Sequence, residues 1–384
     1  MQLEHDETYM RVALHMARRG LGTTSPNPAV GAVIVSDTPS GKQISARAVT
    51  GIGGTPHGEP QAICQAGELA KGATLYVTLE PCNHQGRTPP CTEAIIKAGL
   101  KRVVVASTDL DERVKGTGLE RLREAGIEVV TGICKDEADA LNKGHFLRQT
   151  ENRPYIIVKM AVSKNGLVAG ATENSPSWVT STLARKRGHL LRAEVDAILV
   201  GRKTAEEDDP TLTCRLNGLE HRSPRPIILD RNLALSAELK IFNPNNAIRP
   251  WVITNLDQSK QKISKYQERD CELIFVDLVG ETKSEQECLD VKEIIGRLAQ
   301  EGITRLLVEG GPTTAQNFLK EKLVDQVNVF IGAQEISDNS RLPFASHPLS
   351  WLEGELGFEL NHQQKLGDNQ MDQYERPSVP PTIG

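Results

Sequence analysis

The chain is poor in aromatic residues and has no basic excess. Phe, Trp and Tyr make up 4% of its 384 residues, and 45 Lys and Arg stand against 50 Asp and Glu, a formal net charge of -5. Proteins that draw affinity from a phosphate backbone carry surplus positive charge, and those that grip single strands interleave aromatic with basic residues, so nucleic acid is not an expected partner. No run of about eighteen apolar residues appears, which leaves no candidate for a membrane-spanning helix. Residues 1–7 lack the basic and apolar regions of a secretory leader, and a cytoplasmic location is the expectation. Seven cysteines, an odd number scattered from Cys64 to Cys288, do not have the spacing of a secreted disulfide framework. No G-x-G-x-x-G follows an apolar run and no internal repeat is present, so neither an ordinary dinucleotide fingerprint nor a solenoid is supported.

What is present fits a globular α/β enzyme. Hydrophobic residues make up 38% and charged residues 25%, and 384 residues exceed what one core usually serves, so two domains are expected. Over residues 6–19 Met10, Ala13, Leu14 and Ala17 recur at helical spacing, and Gly20 offers a stop. Small and β-branched residues over 29–35, a loop over 36–43 and a weaker strand near Ile44 read as a hairpin. Helix 60–70, strand 74–79, helix 91–98, strand 102–106, helix 119–125 and strand 127–130 then alternate, the pattern of a mainly parallel sheet covered by helices. Periodicity lapses into polar residues over 148–153 and Pro154 opens a fresh strand. The expected division is therefore a first domain over 1–147, a linker over 148–153 and a second domain over 154–376. The second domain reads as strands 155–161, 197–200, 226–229, 251–254, 273–276, 305–308 and 326–331, with helices 182–193, 291–300 and 314–322. Residues 377–384, rich in proline, read as a mobile tail.

Three soft ligands stand out: His57 in His57-Gly58-Glu59, Cys82 in Glu80-Pro81-Cys82, and Cys91 after Pro89-Pro90. One imidazole and two thiolates suit zinc, and three protein ligands leave the fourth tetrahedral position to water, which is the mark of a catalytic site. All three lie at the ends of elements expected to neighbour one another in a parallel sheet, where ligand sites form. Glu59, two residues after the histidine, is placed to handle protons without being a ligand. Base deaminases use such a histidine-glutamate pair with two cysteines separated by two residues; here eight residues separate them. A purely structural zinc site needs a fourth protein ligand, and His84 is the candidate. Cys64, Cys134, Cys214, Cys271 and Cys288 show no ligand spacing.

The segments Thr24-Ser25-Pro26-Asn27-Pro28-Ala29-Val30-Gly31, His57-Gly58-Glu59 and Leu79-Glu80-Pro81-Cys82-Asn83-His84-Gln85-Gly86-Arg87-Thr88-Pro89-Pro90-Cys91 resemble the bifunctional riboflavin-biosynthesis deaminase-reductase family. So do Asp208-Asp209-Pro210-Thr211-Leu212-Thr213 and Val308-Glu309-Gly310-Gly311-Pro312 in the second half. The resemblance implies a cytidine-deaminase-like first domain that hydrolyses an amino group from a diaminopyrimidinone ribose phosphate at zinc. It implies a dihydrofolate-reductase-like second domain that reduces the ribosyl group to ribityl with NADPH, and a homodimer. On the deaminase side it points to Asn27, His84, Arg87 and Asp109 around the substrate. Arg87 offers a guanidinium fork for phosphate, and Asn27 both donor and acceptor for a pyrimidine edge. On the reductase side it assigns Ser175, Arg192, Leu212, Arg215 and Glu309 to the substrate. Val162, Trp178, Thr204, Asp208, Gly310, Gly311, Pro312, Thr313 and Thr314 fall to the cofactor, whose pyrophosphate a glycine turn before a helix can cradle.

Several positions depart from that family's pattern. Gly58 stands where alanine is usual, Asp109-Leu110-Asp111-Glu112 where Asp-Pro-Asn-Pro is, and Ser163-Lys164-Asn165-Gly166 where Ser-Leu-Asp-Gly is. The last change removes a carboxylate beside the expected reductase cleft, so an active deaminase joined to a degraded or structural reductase domain stays open. A zinc-stabilised nucleic-acid module is the reading from another class, and the acidic balance weighs against it.

Overall fold

A computed structural model describes residues 2–110, 115–169, 179–279, 287–336 and 340–377, and the chain divides into two compact units, Met1–Arg153 and Pro154–Gly384. The first unit runs α1 (Gln2–Arg18), β1 (Gly31–Thr38), β2 (Gly41–Val49), α2 (Gly58–Ala66), β3 (Thr74–Leu79), α3 (Cys91–Lys97), β4 (Arg102–Ser107), α4 (Thr117–Glu124), β5 (Glu128–Thr131) and α5 (Lys135–Glu151). Its sheet has the order β2-β1-β3-β4-β5; β1 is antiparallel to both neighbours, and β3, β4 and β5 are parallel.

Along β4, Val103 and Val105 enter a core with Ile34, Leu75, Val77 and Ile95, whereas Val104 and Ala106 join Met10, Leu14, Val33 and Tyr76 on the other face. Burial on both faces is why these strands read as continuous apolar runs. The helix α1 crosses β1 at Gly31, where a Cβ would stand 1.9 Å from the Ala13 carbonyl oxygen, so the approach needs glycine. Buried Asp6 then fastens α1: it accepts the Arg102 fork at 2.8 and 2.9 Å and the Tyr76 hydroxyl at 2.7 Å.

The structure departs from the sequence expectation at two places here. The expected loop over 36–43 is a tight turn, since β1 runs to Thr38 and pairs it with Gly41. Residues 148–151, expected to begin a linker, are the last turn of α5, which ends at Asn152 in the left-handed conformation with its N–H on the Leu147 carbonyl.

The second unit runs β6 (Tyr155–Val162), β7 (Val168–Ala169), α6 (Thr182–Ala193), β8 (Ala197–Gly201), α7 (Arg202–Asp208), β9 (Arg225–Leu229), β10 (Trp251–Asn255), α8 (Lys260–Gln267), β11 (Glu272–Val276), β12 (Leu278–Val279), β13 (Cys288–Leu289), α9 (Val291–Gln300), β14 (Arg305–Glu309), α10 (Pro312–Lys320), β15 (Gln326–Ile331), β16 (Ser340–Arg341), α11 (Trp351–Gly354), β17 (Glu359–Leu366) and β18 (Asn369–Glu375). A nine-stranded sheet has the order β11-β10-β9-β8-β14-β6-β15-β18-β17. It is parallel from β11 to β15, and the β17-β18 hairpin closes one edge antiparallel. Val158, Leu199, Leu306 and Val327 pack with Ile294 and Leu298 of α9 and Phe318 of α10. Among the described residues no helix is long and apolar enough to cross a membrane.

Candidate active sites

Parallel pairing of β3 with β4 brings the segments after both strands to one end of the first sheet. His57 is the N-cap of α2 in an extended conformation and makes no capping bond, so its ring is free for other work. Cys91 opens α3 directly after Pro89-Pro90, and its backbone N–H donates to Cys82 Sγ at 3.4 Å. His57 Nδ1 lies 3.3 Å from Cys91 Sγ and 3.7 Å from Cys82 Sγ, and the three ligand atoms all fall within 4.8 Å of one another. A tetrahedral zinc with bonds of about 2.0–2.1 Å to nitrogen and about 2.3 Å to sulfur sets those atoms roughly 3.6 Å apart, so the donor set fits the ion in both chemistry and span.

The electrostatics fit as well. The hydrogen bond from Cys91 draws the Cys82 thiol well below its ordinary value, with His57 adding to it. Cys91, on the other side of that bond, is pushed up, and burial adds to the effect. His57 is raised, chiefly by its bond to Cys82. Two sulfurs competing for one proton is the situation that a divalent cation between them relieves. Glu59 is 3% exposed, sits beside the ligand group, and has its pKa raised by burial, with the Cys82 charge adding to it. His84 stands outside this group of three; it is half-buried, and its Nδ1 has no partner among the described residues.

Around the group, Asn27 is half-buried and donates Nδ2 to the Gly54 carbonyl at 2.9 Å. A Cβ at Gly54 would come 2.7 Å from that nitrogen, and its φ of 88° favours glycine independently. Arg87 is exposed on the insert between the cysteines. Asp109 is buried after β4, where Oδ1 accepts from Gln149 of α5 at 3.3 Å and lies 3.8 Å from His145 Nε2. The sequence pattern did not single out His145, Gln149 or Glu80, the last a buried carboxylate beside the metal-ligand loop.

In the second unit Glu309 ends β14 in register with Lys159 of β6, which is in register with Asn328 of β15. Arg192 of α6 grips Glu309 twice, Nε to Oε1 at 3.0 Å and Nη2 to Oε2 at 2.7 Å, and donates Nη1 to the Thr213 carbonyl at 3.0 Å. Burial alone would raise the Glu309 pKa, but the Arg192 charge and then that of Lys159 bring it down to about 2. His189, desolvated and facing Arg192 and Arg215, falls to about 4 and is neutral at physiological pH. Its Nδ1 accepts the Arg215 backbone N–H at 3.4 Å, while the Arg215 side chain is exposed. Leu212 is buried at a φ of 54°, and buried Val162 accepts at its carbonyl from the Gly332 N–H at 2.7 Å. Asp208 ends α7, its pKa raised by burial.

Gly310 (φ 134°) and Gly311 (φ 39°) turn the chain from β14 into α10. A Cβ at Gly310 would meet Thr204 Cγ2 at 2.9 Å, and one at Gly201 would meet Thr314 Oγ1 at 2.6 Å. The first turns of α7 and α10 therefore close on each other, with the Thr204 and Thr314 side chains packed against the glycines. Neither has a side-chain cap, and Pro312 followed by Thr313 and Thr314 leads α10. Uncapped N–H groups at a helix start favour an anion. Ser175, Trp178, Asp111 and residues 378–384 lie outside the described residues.

Asn165 is bonded through both ends of its amide. Its Oδ1 accepts from the Ser163 hydroxyl at 2.6 Å and from the Ile336 N–H at 3.2 Å, and Nδ2 adds a bond to the Ile336 carbonyl at 2.8 Å. Asn165 thereby ties the 163–167 turn to the Ile336 backbone.

Residues 3–107 match the cytidine and deoxycytidylate deaminase zinc-binding region, and residues 154–365 match the RibD C-terminal domain. The riboflavin biosynthesis protein RibD of Aquifex aeolicus (strain VF5) is 40% identical over 371 residues, spanning 95% of this chain and 97% of that protein. That of Escherichia coli (strain K12) is 38% identical over 339 residues, 88% and 90% of the two chains. A solved Acinetobacter baumannii RibD has a TM-score of 0.83 at 32% identity, covering 98% of this chain and 100% of that one. A Thermotoga maritima diaminohydroxyphosphoribosylaminopyrimidine deaminase/5-amino-6-(5-phosphoribosylamino)uracil reductase gives 0.80 at 31% identity, with coverage of 98% and 100%.

Proposed function

Because the chain belongs to the RibD family of bifunctional deaminase-reductases of riboflavin biosynthesis, we propose a division of labour between its two units in which His57, Cys82, Cys91 and Glu59 deaminate a diaminopyrimidinone ribose phosphate and the site around Glu309 reduces the product with NADPH. Zinc held by the imidazole and two thiolates supplies Lewis acidity that makes a water nucleophilic near neutral pH. Glu59 accepts the proton that the attacking water gives up, returns it to the ring nitrogen, and passes the next to the departing ammonia. Burial raises the pKa of this carboxyl group above its ordinary value. Asn27, its amide oriented by the Gly54 carbonyl, presents Oδ1 to the amino edge of the ring. Arg87 on the exposed insert and Asp109 hold the ribose phosphate end, and His84 offers a further hydrogen bond.

In the second unit the paired starts of α7 and α10 hold the cofactor pyrophosphate, with Thr204, Asp208 and Thr313 at the rim. Val162 and Trp178 border the nicotinamide. Glu309, kept ionised by Arg192, orients the ribose hydroxyls, and NADPH held there would supply the hydride that reduces the anomeric carbon. Lys159, beside Glu309, supplies the positive charge that the opening oxygen needs. Ser175, Leu212 and Arg215 complete the substrate side. The same reading carries a homodimer in the cytoplasm.

The observation that carries the proposal is the convergence of one imidazole and two sulfurs within 4.8 Å with a buried carboxylate against them. A coupled assay tests it: the aminopyrimidine phosphate should release ammonia without NADPH, and NADPH should be consumed only after that release. Ammonia release with no NADPH oxidation on the deaminated intermediate would leave the second half of the proposal without support.

A further inference from the structure

Four backbone N–H groups converge on one buried carboxylate beside the metal-ligand loop. Glu80, 4% exposed, ends the β3 segment two residues before Cys82. Its Oε2 accepts from the Gly116 N–H at 3.1 Å and its Oε1 from the Gly118 N–H at 3.2 Å, and the N–H groups of Leu119 and Asp109 face it as well. Gly116 is the N-cap of α4, with a φ of 80° and no side chain to cap the helix. Glu80 therefore caps α4 from another element, which is where an anion is best placed.

A second set of contacts fastens the same junction. A Cβ at Gly118 would stand 2.1 Å from the Pro81 carbonyl oxygen, so α4 begins in direct contact with the metal-ligand loop. Asn83, next to Cys82, donates to the Thr117 carbonyl at 3.4 Å and accepts from the Thr92 hydroxyl at 2.9 Å. Asp109 therefore has its backbone N–H facing Glu80 and its carboxylate held by Gln149 of α5 at 3.3 Å.

We propose that Glu80 is a positioning residue for the deamination site: it fastens the start of α4 to the loop that carries Cys82 and, facing the Asp109 backbone, sets Asp109 beside that loop. This rests on the reading that Asp109 contacts the substrate. An amide at position 80 keeps the shape, loses the charge and turns an NH₂ toward N–H donors.

The test uses the full zinc-loaded chain with Glu80→Gln. The KM for the aminopyrimidine phosphate should rise by about tenfold or more, the scale of one lost charge-assisted hydrogen bond, with kcat within about threefold of the parent. Zinc content and NADPH oxidation should stay at parental levels, and amide exchange at Gly116, Gly118 and Leu119 should quicken. A KM within twofold of the parent, or a fall in kcat with KM unmoved, overturns the proposal. Should Glu80→Gln fail to fold, Gly118→Ala displaces the first turn of α4 from Pro81 and leaves the carboxylate in place; it should show the same KM rise, and an unmoved KM again overturns the proposal. Asp109→Ala separates the two ideas, because an unchanged KM there beside a raised KM in Glu80→Gln refutes the role of Asp109 and keeps that of Glu80. If the parent releases no ammonia, the deaminase reading itself has failed, and parental exchange rates in Glu80→Gln would then overturn the capping role.

Discussion

Replacing Arg192 with glutamine should destabilise the second unit in a way that depends on pH. Glu309 is held at about 2 in the fold against an ordinary value of 4.5, a gap of about 2.5 pH units, which at about 1.4 kcal/mol each is roughly 3 kcal/mol. That agrees with the usual 3–5 kcal/mol for breaking a buried pair on one side, and with an interaction whose two partners are only 13% and 11% exposed. The folded value lies below the unfolded one, so the stabilisation is complete above pH 4.5 and is lost as the pH falls through about 2. Parent and Arg192→Gln should therefore differ by about 3 kcal/mol at pH 7, and the difference should shrink as acid is added. Trp178, Trp251 and Trp351 are the chain's three tryptophans and all belong to the second unit, so urea unfolding followed by tryptophan fluorescence reports that unit alone. A difference under about 1 kcal/mol at pH 7, or one that stays constant down to about pH 3, would refute the reasoning.

Glu59→Gln should keep its zinc while deamination falls by about 10²- to 10⁴-fold, read from metal content and ammonia release on the same sample. Near-parental turnover would remove Glu59 as the proton carrier. Asp6→Ala removes the buried acceptor of the Tyr76 hydroxyl and leaves the Arg102 guanidinium only its bond to the exposed Glu128, and should cost the first unit about 3 kcal/mol, measured as earlier loss of amide-exchange protection in α1. Asn165→Asp restores the carboxylate usual in the family but keeps both accepted bonds, so NADPH oxidation should change by less than about threefold. A rise of tenfold or more would mean that Asn165 had cost the second unit its activity.

The metal group was legible because its chemistry needs particular side chains at the ends of strands and helices, and strand 74–79 and the start of the helix at Cys91 both stood in the pattern. The helix α5 was not, because the face it buries presents Ala138, Asn142 and Gly144, which leave no apolar stripe to count. It nonetheless supplies Gln149 and His145 to Asp109, so part of the site hung on an element that the periodicity missed. The strand β17 escaped notice for the opposite reason. Glu359 through Lys365 are exposed, and the strand exists through its backbone pairing with β18, which side-chain alternation cannot reveal. Glu80 stood within the quoted motif, but its partners are backbone N–H groups some 30 to 40 positions downstream, which carry no side-chain signature. For Asn165 the sequence showed only a lost carboxylate, and the bonds that its amide makes to Ser163 and Ile336 lie in a turn that no pattern marks.

The central claim is that one imidazole, two thiolates and a water share a single ion. Zinc-edge X-ray absorption of the purified chain tests it most directly. The account predicts one zinc per chain with one nitrogen and one oxygen at about 2.0–2.1 Å and two sulfurs at about 2.3 Å. Absence of zinc, or a shell of four protein ligands with no oxygen, would contradict it.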